Sequence, residues 1–192
     1  MKKLLITGFD PFGGETVNPA WEAVKRLPDT AGEYVLCKLE IPTVYAAAAQ
    51  KVLDAARELK PDVILCIGQA GGRNDVTPER IGINLRLARI PDNAGNRPEG
   101  EPVVPGGADG YFATVPVDRM AQAIRDAGYP ASVSNTAGTF VCNDVLYTVL
   151  HACLGTNVRA GFLHVPFLPE QGQPSLPLED TVKALEAAIS AL

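Results

Sequence analysis

The chain has 192 residues, 46% of them hydrophobic and 20% charged, enough for one domain over residues 1–192 with a substantial core and no need of a second. Its formal net charge of −5 and isoelectric point near 5.1, with no basic run, argue against nucleic acid or an anionic membrane as principal partner. The apolar run Leu4-Leu5-Ile6 breaks at Thr7-Gly8, short of the roughly 7–15 apolar residues of an export signal, so a cytoplasmic protein without a membrane span is expected.

In chain order, Lys3–Gly8 reads as an apolar strand. Asn18 can cap a helix opened by Pro19, because its side chain accepts from a free N–H and proline suits the first helical position. Glu33–Ile41 is a second strand. Thr43–Lys60 predicts a helix, alanine-rich over Tyr45–Leu59 and capped by Thr43. Asp62–Ile67 is a third strand, ending in the loop Gly68-Gln69-Ala70-Gly71-Gly72. Ile81–Leu87 alternates with period 2 and predicts a half-exposed strand in an outlying β-hairpin. Prolines and glycines between Ile90 and Pro116 mark loops. After Cys142, the residues Val145, Leu146, Val149, Leu150 and Cys153 recur at helical spacing. Arg159–Pro166 reads as a buried strand and Asp180–Leu192 as a closing helix. Strands joined through helices are usually parallel, which predicts an α/β fold, a single-domain three-layer αβα sandwich around a mostly parallel sheet.

Three residues stand out chemically. Cys142 lies where a small-residue turn gives way to a helix, and a helix N-terminus favours the nucleophilic thiolate; a free cysteine is also, more commonly, a small buried hydrophobe. Of the two histidines, His164 lies at the end of a strand, where α/β folds place ligands, whereas His151 lies inside a helix as a solvated or core-satisfied residue. Glu79 by itself is an ordinary acid. Together they match a thiol nucleophile, an imidazole that carries its proton, and a carboxylate that holds the imidazole in one tautomer. Cys37, Cys66 and Cys153 read as reduced thiols, with no metal-ligand spacing and therefore no implied metal or cofactor.

The segments around these residues resemble a known family. Gly71–Asn84 around Glu79, Ser134–Asn143 around Cys142, Phe162–Gln171 around His164 and the opening Leu5–Gly14 are similar, in order, to the motifs of pyrrolidone-carboxylate peptidases, the type I pyroglutamyl peptidases. The resemblance implies a thiol exopeptidase that removes an N-terminal pyroglutamyl residue through a thioester, with Cys142 as nucleophile, His164 as general base and acid, Glu79 as its orienting group, and a homotetrameric assembly. A pyroglutamyl residue is an uncharged five-membered lactam, so its site should be largely apolar with a few hydrogen-bonding groups. Phe9, Phe12 and Phe140 could sandwich it; each alone could be a core aromatic, and the resemblance implies that all three belong to the pocket. The resemblance also implies Gln69 and Asn18 as lactam contacts, against their alternatives of loop brace and helix cap. Backbone N–H groups at Cys142 or Gly68–Gly72, with Arg89, could hold the oxyanion. Rival readings are a phosphate or nucleotide binder built on Gly13-Gly14 and Gly71-Gly72, a non-catalytic small-molecule binder on the same fold, and a cysteine amidase for another cyclic N-blocked substrate. Neither glycine pair completes a phosphate-binding motif.

Overall fold

The computed structural model describes all residues, Met1–Leu192, and its order of elements is set by strands apolar on both faces. β1 (Lys2–Phe9), β3 (Tyr34–Ile41), β4 (Val63–Gln69) and β10 (Arg159–Val165) run parallel, with short antiparallel strands β2 (Thr30–Ala31) and β5 (Thr77–Pro78) at the two edges, in the order β2-β3-β1-β4-β10-β5. From its third residue onward β1 is buried throughout, as are the first six residues of β4 and the last six of β10. A strand buried on both faces needs helices on both sides.

Side-chain alternation divides the core into two halves. Leu4, Ile6, Leu65, Ile67, Leu163 and Val165 pack under α1 (Pro19–Arg26), α3 (Val117–Asp126) and α5 (Leu178–Ser190). Leu5, Phe9, Ile64, Cys66, Ala160 and Phe162 pack under α2 (Ala47–Leu59) and α4 (Val141–Ala152). This is the expected single-domain three-layer arrangement. No helix is long and apolar enough to cross a membrane.

Two local expectations are corrected. The helix predicted from Thr43 starts at Ala47, and Thr43 caps nothing: its N–H donates to Asp10 Oδ1 at 2.7 Å and its hydroxyl to the Asp10 carbonyl. The Val44 N–H donates to the Pro42 carbonyl, and Asp92 and Asp144 take the N–H groups of Tyr45 and Ala46, with Ala46 at φ 59° in a tight turn. Three acidic side chains from distant segments thus hold residues 43–46 out of the helix that local propensity favours.

The single strand predicted over Ile81–Leu87 is broken. β6 (Ile81–Ile83) pairs with β9 (Gly110–Phe112), while β7 (Arg86–Leu87) pairs with β8 (Glu99–Glu101), giving two separate ribbons whose partner strands β8 and β9 lie in the stretch read as loop. The buried Asn143 side chain of α4 causes the break. It accepts from the Ile83 N–H and donates to the carbonyls of Ile83 and Leu85, standing where a partner strand would be.

Candidate active site

The site forms beyond the carboxyl ends of β1, β4 and β10, where open α/β sheets bind ligands. His164 is two residues beyond Phe162 in β10, so alternation puts both on the sheet face covered by α4. Its partner in the parallel register of β4 is Gly68. Cys142, the second residue of α4, hangs over that glycine: a methyl group built there would lie 2.9 Å from the thiol sulfur and 2.7 Å from the Phe162 ring. The absence of a side chain at Gly68 therefore lets the thiol down onto the sheet beside the imidazole. Cys142 and His164 line one cavity of about 280 Å³.

Glu79 reaches His164 through continued strand pairing. Thr77 and Pro78 pair with His164 and Leu163, and the Glu79 N–H donates to the Phe162 carbonyl. The fully buried carboxylate then accepts from His164 Nδ1 at 2.7 Å. An ionised carboxylate only accepts, so Nδ1 carries the hydrogen and Nε2 is left with a free lone pair. Arg73, in the loop after β4, donates through Nη1 to the same Glu79 oxygen at 2.5 Å and to Thr77, and through Nη2 to the Thr136 carbonyl. The second carboxylate oxygen is buried without a hydrogen-bond partner, since the neighbouring Ser134 hydroxyl donates to Thr136 instead.

Burial governs the charge states. It pushes the Cys142 thiol up to about 12, with the Glu79 carboxylate adding to the rise and Arg73 opposing it. Helix-end position alone predicts a thiolate, but that effect is worth roughly 0.3–1 kcal/mol, less than the about 1.4 kcal/mol of a single pKa unit. Desolvation therefore wins. It also lowers His164 below its ordinary range, against the hydrogen bond and charge of Glu79 and aided by Arg73. Burial works to raise Glu79, but the hydrogen bond and charge of His164, joined by the hydrogen bond from Arg73, overcome it and hold the carboxyl below its ordinary value. At neutral pH the resting group is a thiol, a neutral imidazole and a carboxylate.

The rest of the cavity divides the sequence candidates. Phe12, Gln69 and Phe140 line it, with the rings of Phe12 and Phe140 5.9 Å apart between centroids. Phe9 does not; it is 2% exposed and packs on Phe162 in the core. Asn18 is buried and caps α1, accepting from the Ala20 N–H and donating to the Asp10 carbonyl. Arg89 is exposed, makes no ion pair and lies outside the cavity lining. Phe140, at the N-cap of α4, supplies no side-chain cap, and a helix's first-turn N–H groups, here including that of Cys142, have no acceptor within the helix. No group of three or more His, Cys, Asp or Glu is arranged to hold a metal ion, and all four cysteines are free.

Sequence reasoning missed Arg73, Asp144 and Gln171. The fully buried Asp144 joins α4 to two neighbouring segments, accepting from Arg86 Nε at 2.6 Å and from the Ala46 N–H. Gln171 donates to Gln69. Polar residues beside recognised motifs were the available signal, but their partners are distant in sequence.

The sequence model of the family described as pyroglutamyl peptidase matches residues 2–192. The pyrrolidone-carboxylate peptidase of Levilactobacillus brevis is 55% identical over 99% of this chain and 97% of its own. That of Thermococcus onnurineus is 49% identical over 97% of this chain and 96% of its own. Among solved structures, pyroglutamyl peptidase I of Bacillus amyloliquefaciens superposes with a TM-score of 0.97 at 46% identity, over all of this chain and 96% of that one. The pyrrolidone carboxyl peptidase of Thermococcus litoralis gives 0.95 at 36% identity, over all of this chain and 93% of that one.

Proposed function

Because this chain belongs to the pyroglutamyl peptidase family of cysteine-type hydrolases, we propose that it hydrolyses the amide bond after an N-terminal pyroglutamyl residue of peptides, using Cys142, His164 and Glu79. The observation that carries this reading is the 2.7 Å contact between His164 and the buried Glu79 beside a cavity shared with Cys142. The neutral Nε2 of His164 takes the thiol proton as sulfur attacks the scissile carbonyl. The high thiol pKa favours this concerted transfer over a preformed thiolate. Negative charge develops on the carbonyl oxygen and is met by N–H groups of the first turn of α4, including that of Cys142. Collapse of the adduct breaks the C–N bond, the imidazolium protonates the departing amine, and a thioester remains. Water, deprotonated by His164, then attacks the thioester, freeing pyroglutamate and restoring the thiol.

Glu79 holds Nδ1–H throughout and stabilises the transient imidazolium. Phe12 and Phe140 bound the flat, uncharged lactam, with Gln69 at its polar edge. Phe9 supports them from the core. Asn18 acts through the cap of α1 and Arg89 from the cavity's surroundings. The same reading makes the chain a cytoplasmic homotetramer that needs no cofactor.

The test is turnover of a pyroglutamyl arylamide beside open-chain glutamyl and prolyl analogues. The pyroglutamyl compound alone should be cleaved efficiently, because a charged ammonium entering this cavity would be desolvated without a partner. Cys142→Ala should fold and be inactive. Comparable kcat/KM for pyroglutamyl and glutamyl substrates, or an active Cys142→Ala variant, would overturn the reading.

A further inference from the structure

Gln69 lines the cavity, and its usefulness there depends on which end of its amide faces the ligand. The carbonyl end accepts and the NH2 end donates, and the two differ little in shape. The surrounding hydrogen bonds choose between them. Gln171, six residues beyond β10, accepts the Leu168 N–H on its own Oε1 at 3.0 Å. That backbone donor fixes Gln171's orientation, so its NH2 group must point the other way. There it donates to Gln69 Oε1 at 3.1 Å, with Glu15 Oε2 at 3.3 Å and the Val17 carbonyl at 3.4 Å as further acceptors. Gln69 Oε1 is thereby occupied, while its NH2 group has no hydrogen-bond partner in the protein.

We propose that Gln171 is a specificity-determining positioning residue: it locks the Gln69 amide with its NH2 end towards the cavity, presenting a donor to the ring carbonyl of the lactam. The inference rests on the pyroglutamyl reading above. A prolyl ring lacks that carbonyl and leaves the donor unmatched, and an unmatched buried donor weakens binding. Gln171 touches no reacting atom, so its effect passes through Gln69 and falls on binding.

The test is a double-mutant cycle of Gln171→Met and Gln69→Ala on pyroglutamyl arylamide turnover, with calorimetric binding of free pyroglutamate to the same variants in a Cys142→Ala background. Gln171→Met should raise KM and the pyroglutamate Kd roughly tenfold, as expected for one hydrogen bond, with kcat within about threefold. Gln171→Glu, made with Glu15→Gln to avoid a second carboxylate, should do worse, because it accepts from Gln69 and turns the amide oxygen towards the lactam carbonyl. Adding Gln171→Met to Gln69→Ala should change little. An unchanged KM and Kd in Gln171→Met, an equal fall in kcat, or additive losses in the double variant would overturn the proposal while leaving the function standing. If the unmutated protein neither cleaves the arylamide nor, as Cys142→Ala, binds pyroglutamate, the functional reading falls and this inference with it. Thermal melts confirm folding, and the Gln171→Glu variant supplies the comparison should Gln171→Met not fold.

Discussion

At the scale of single residues, the charge on Arg73 has the widest consequences. Its guanidinium contacts Glu79 directly, and its charge opposes both the rise of Cys142 and the protonation of His164. The titratable groups facing His164 are Glu79 from the segment after β5, Arg73 from the loop after β4, and Cys142 from α4. A protonated His164 cannot take the thiol proton, so kcat/KM should fall on the acid side as His164 titrates, below the ordinary histidine value of about 6.5. Replacing Arg73 with Gln removes a charge that lowers this pKa, so the acid limb should move to higher pH. Arg73→Lys should leave the limb near its original position but lower kcat, because a single ammonium cannot span Glu79 and the Thr136 carbonyl. The alkylation rate of Cys142 by iodoacetamide against pH checks the same shift without substrate, and an acid limb unmoved in Arg73→Gln would show that the charge has no such role. Stability should follow the same sign. A histidine whose folded pKa is depressed contributes fully above about 6.5 and loses that contribution as pH falls towards the folded value, which denaturant titrations between neutral and acidic pH can read.

At the scale of elements, the approach of α4 to the sheet is what brings thiol and imidazole together, and Gly68 is its narrowest point. The added methyl of Gly68→Ala meets sulfur at 2.9 Å and the Phe162 ring at 2.7 Å, closer than real contacts allow. Overpacking of this kind costs about 1–3 kcal/mol of stability, and a displacement near 1 Å at reacting atoms lowers rate by about 10²-fold. Gly68→Ala should therefore fold, with a modestly lower melting temperature and kcat down by about two orders of magnitude; wild-type kcat would reject the account of the thiol's placement. Asp144 secures the other side of the same helix. Removing it strands the Ala46 N–H and leaves Arg86, whose side chain is 23% exposed, without its partner. Breaking a buried pair costs about 3–5 kcal/mol, and Asp144→Ala should lie near the lower end because Arg86 can turn to water. Urea denaturation of Asp144→Ala and Asp144→Asn measures it, the amide being expected to retain more stability as an acceptor for the Ala46 N–H.

At the scale of the whole molecule, the proposed homotetramer finds support in apolar surface remote from the cavity. Phe112 and Leu154, 67% and 55% exposed, flank one hollow near the C-terminal end of α4. Large exposed apolar groups grouped this way are characteristic of association surfaces. Sedimentation at micromolar concentration should give a species about four times the 20.3 kDa chain mass, and Phe112→Asp with Leu154→Asp should shift it to smaller species. A 20.3 kDa monomer at every concentration would reject the assembly.

What the sequence determined by itself is whatever depends on short-range pattern. Strands apolar on both faces, helices of regular period and the Asn18-Pro19 helix start fixed the layers. Scarce residue types within ordered motifs singled out Cys142 and His164, and Glu79 was added by the motif around it. Tertiary structure decided whatever depends on partners distant in the chain. Asp10, Asp92 and Asp144 together withdrew residues 43–46 from a helix that local propensity favours, and one asparagine of α4 split Ile81–Leu87 between two ribbons. Phe9 went to the core and Phe12 to the cavity although both belong to one motif, because Phe9 ends a strand whose alternation turns it inward while Phe12 lies in the loop beyond. The charge of Cys142 was likewise decided by packing. A helix start is legible in sequence, but the desolvation that outweighs it arises only when α4 is pressed against β4 and β10.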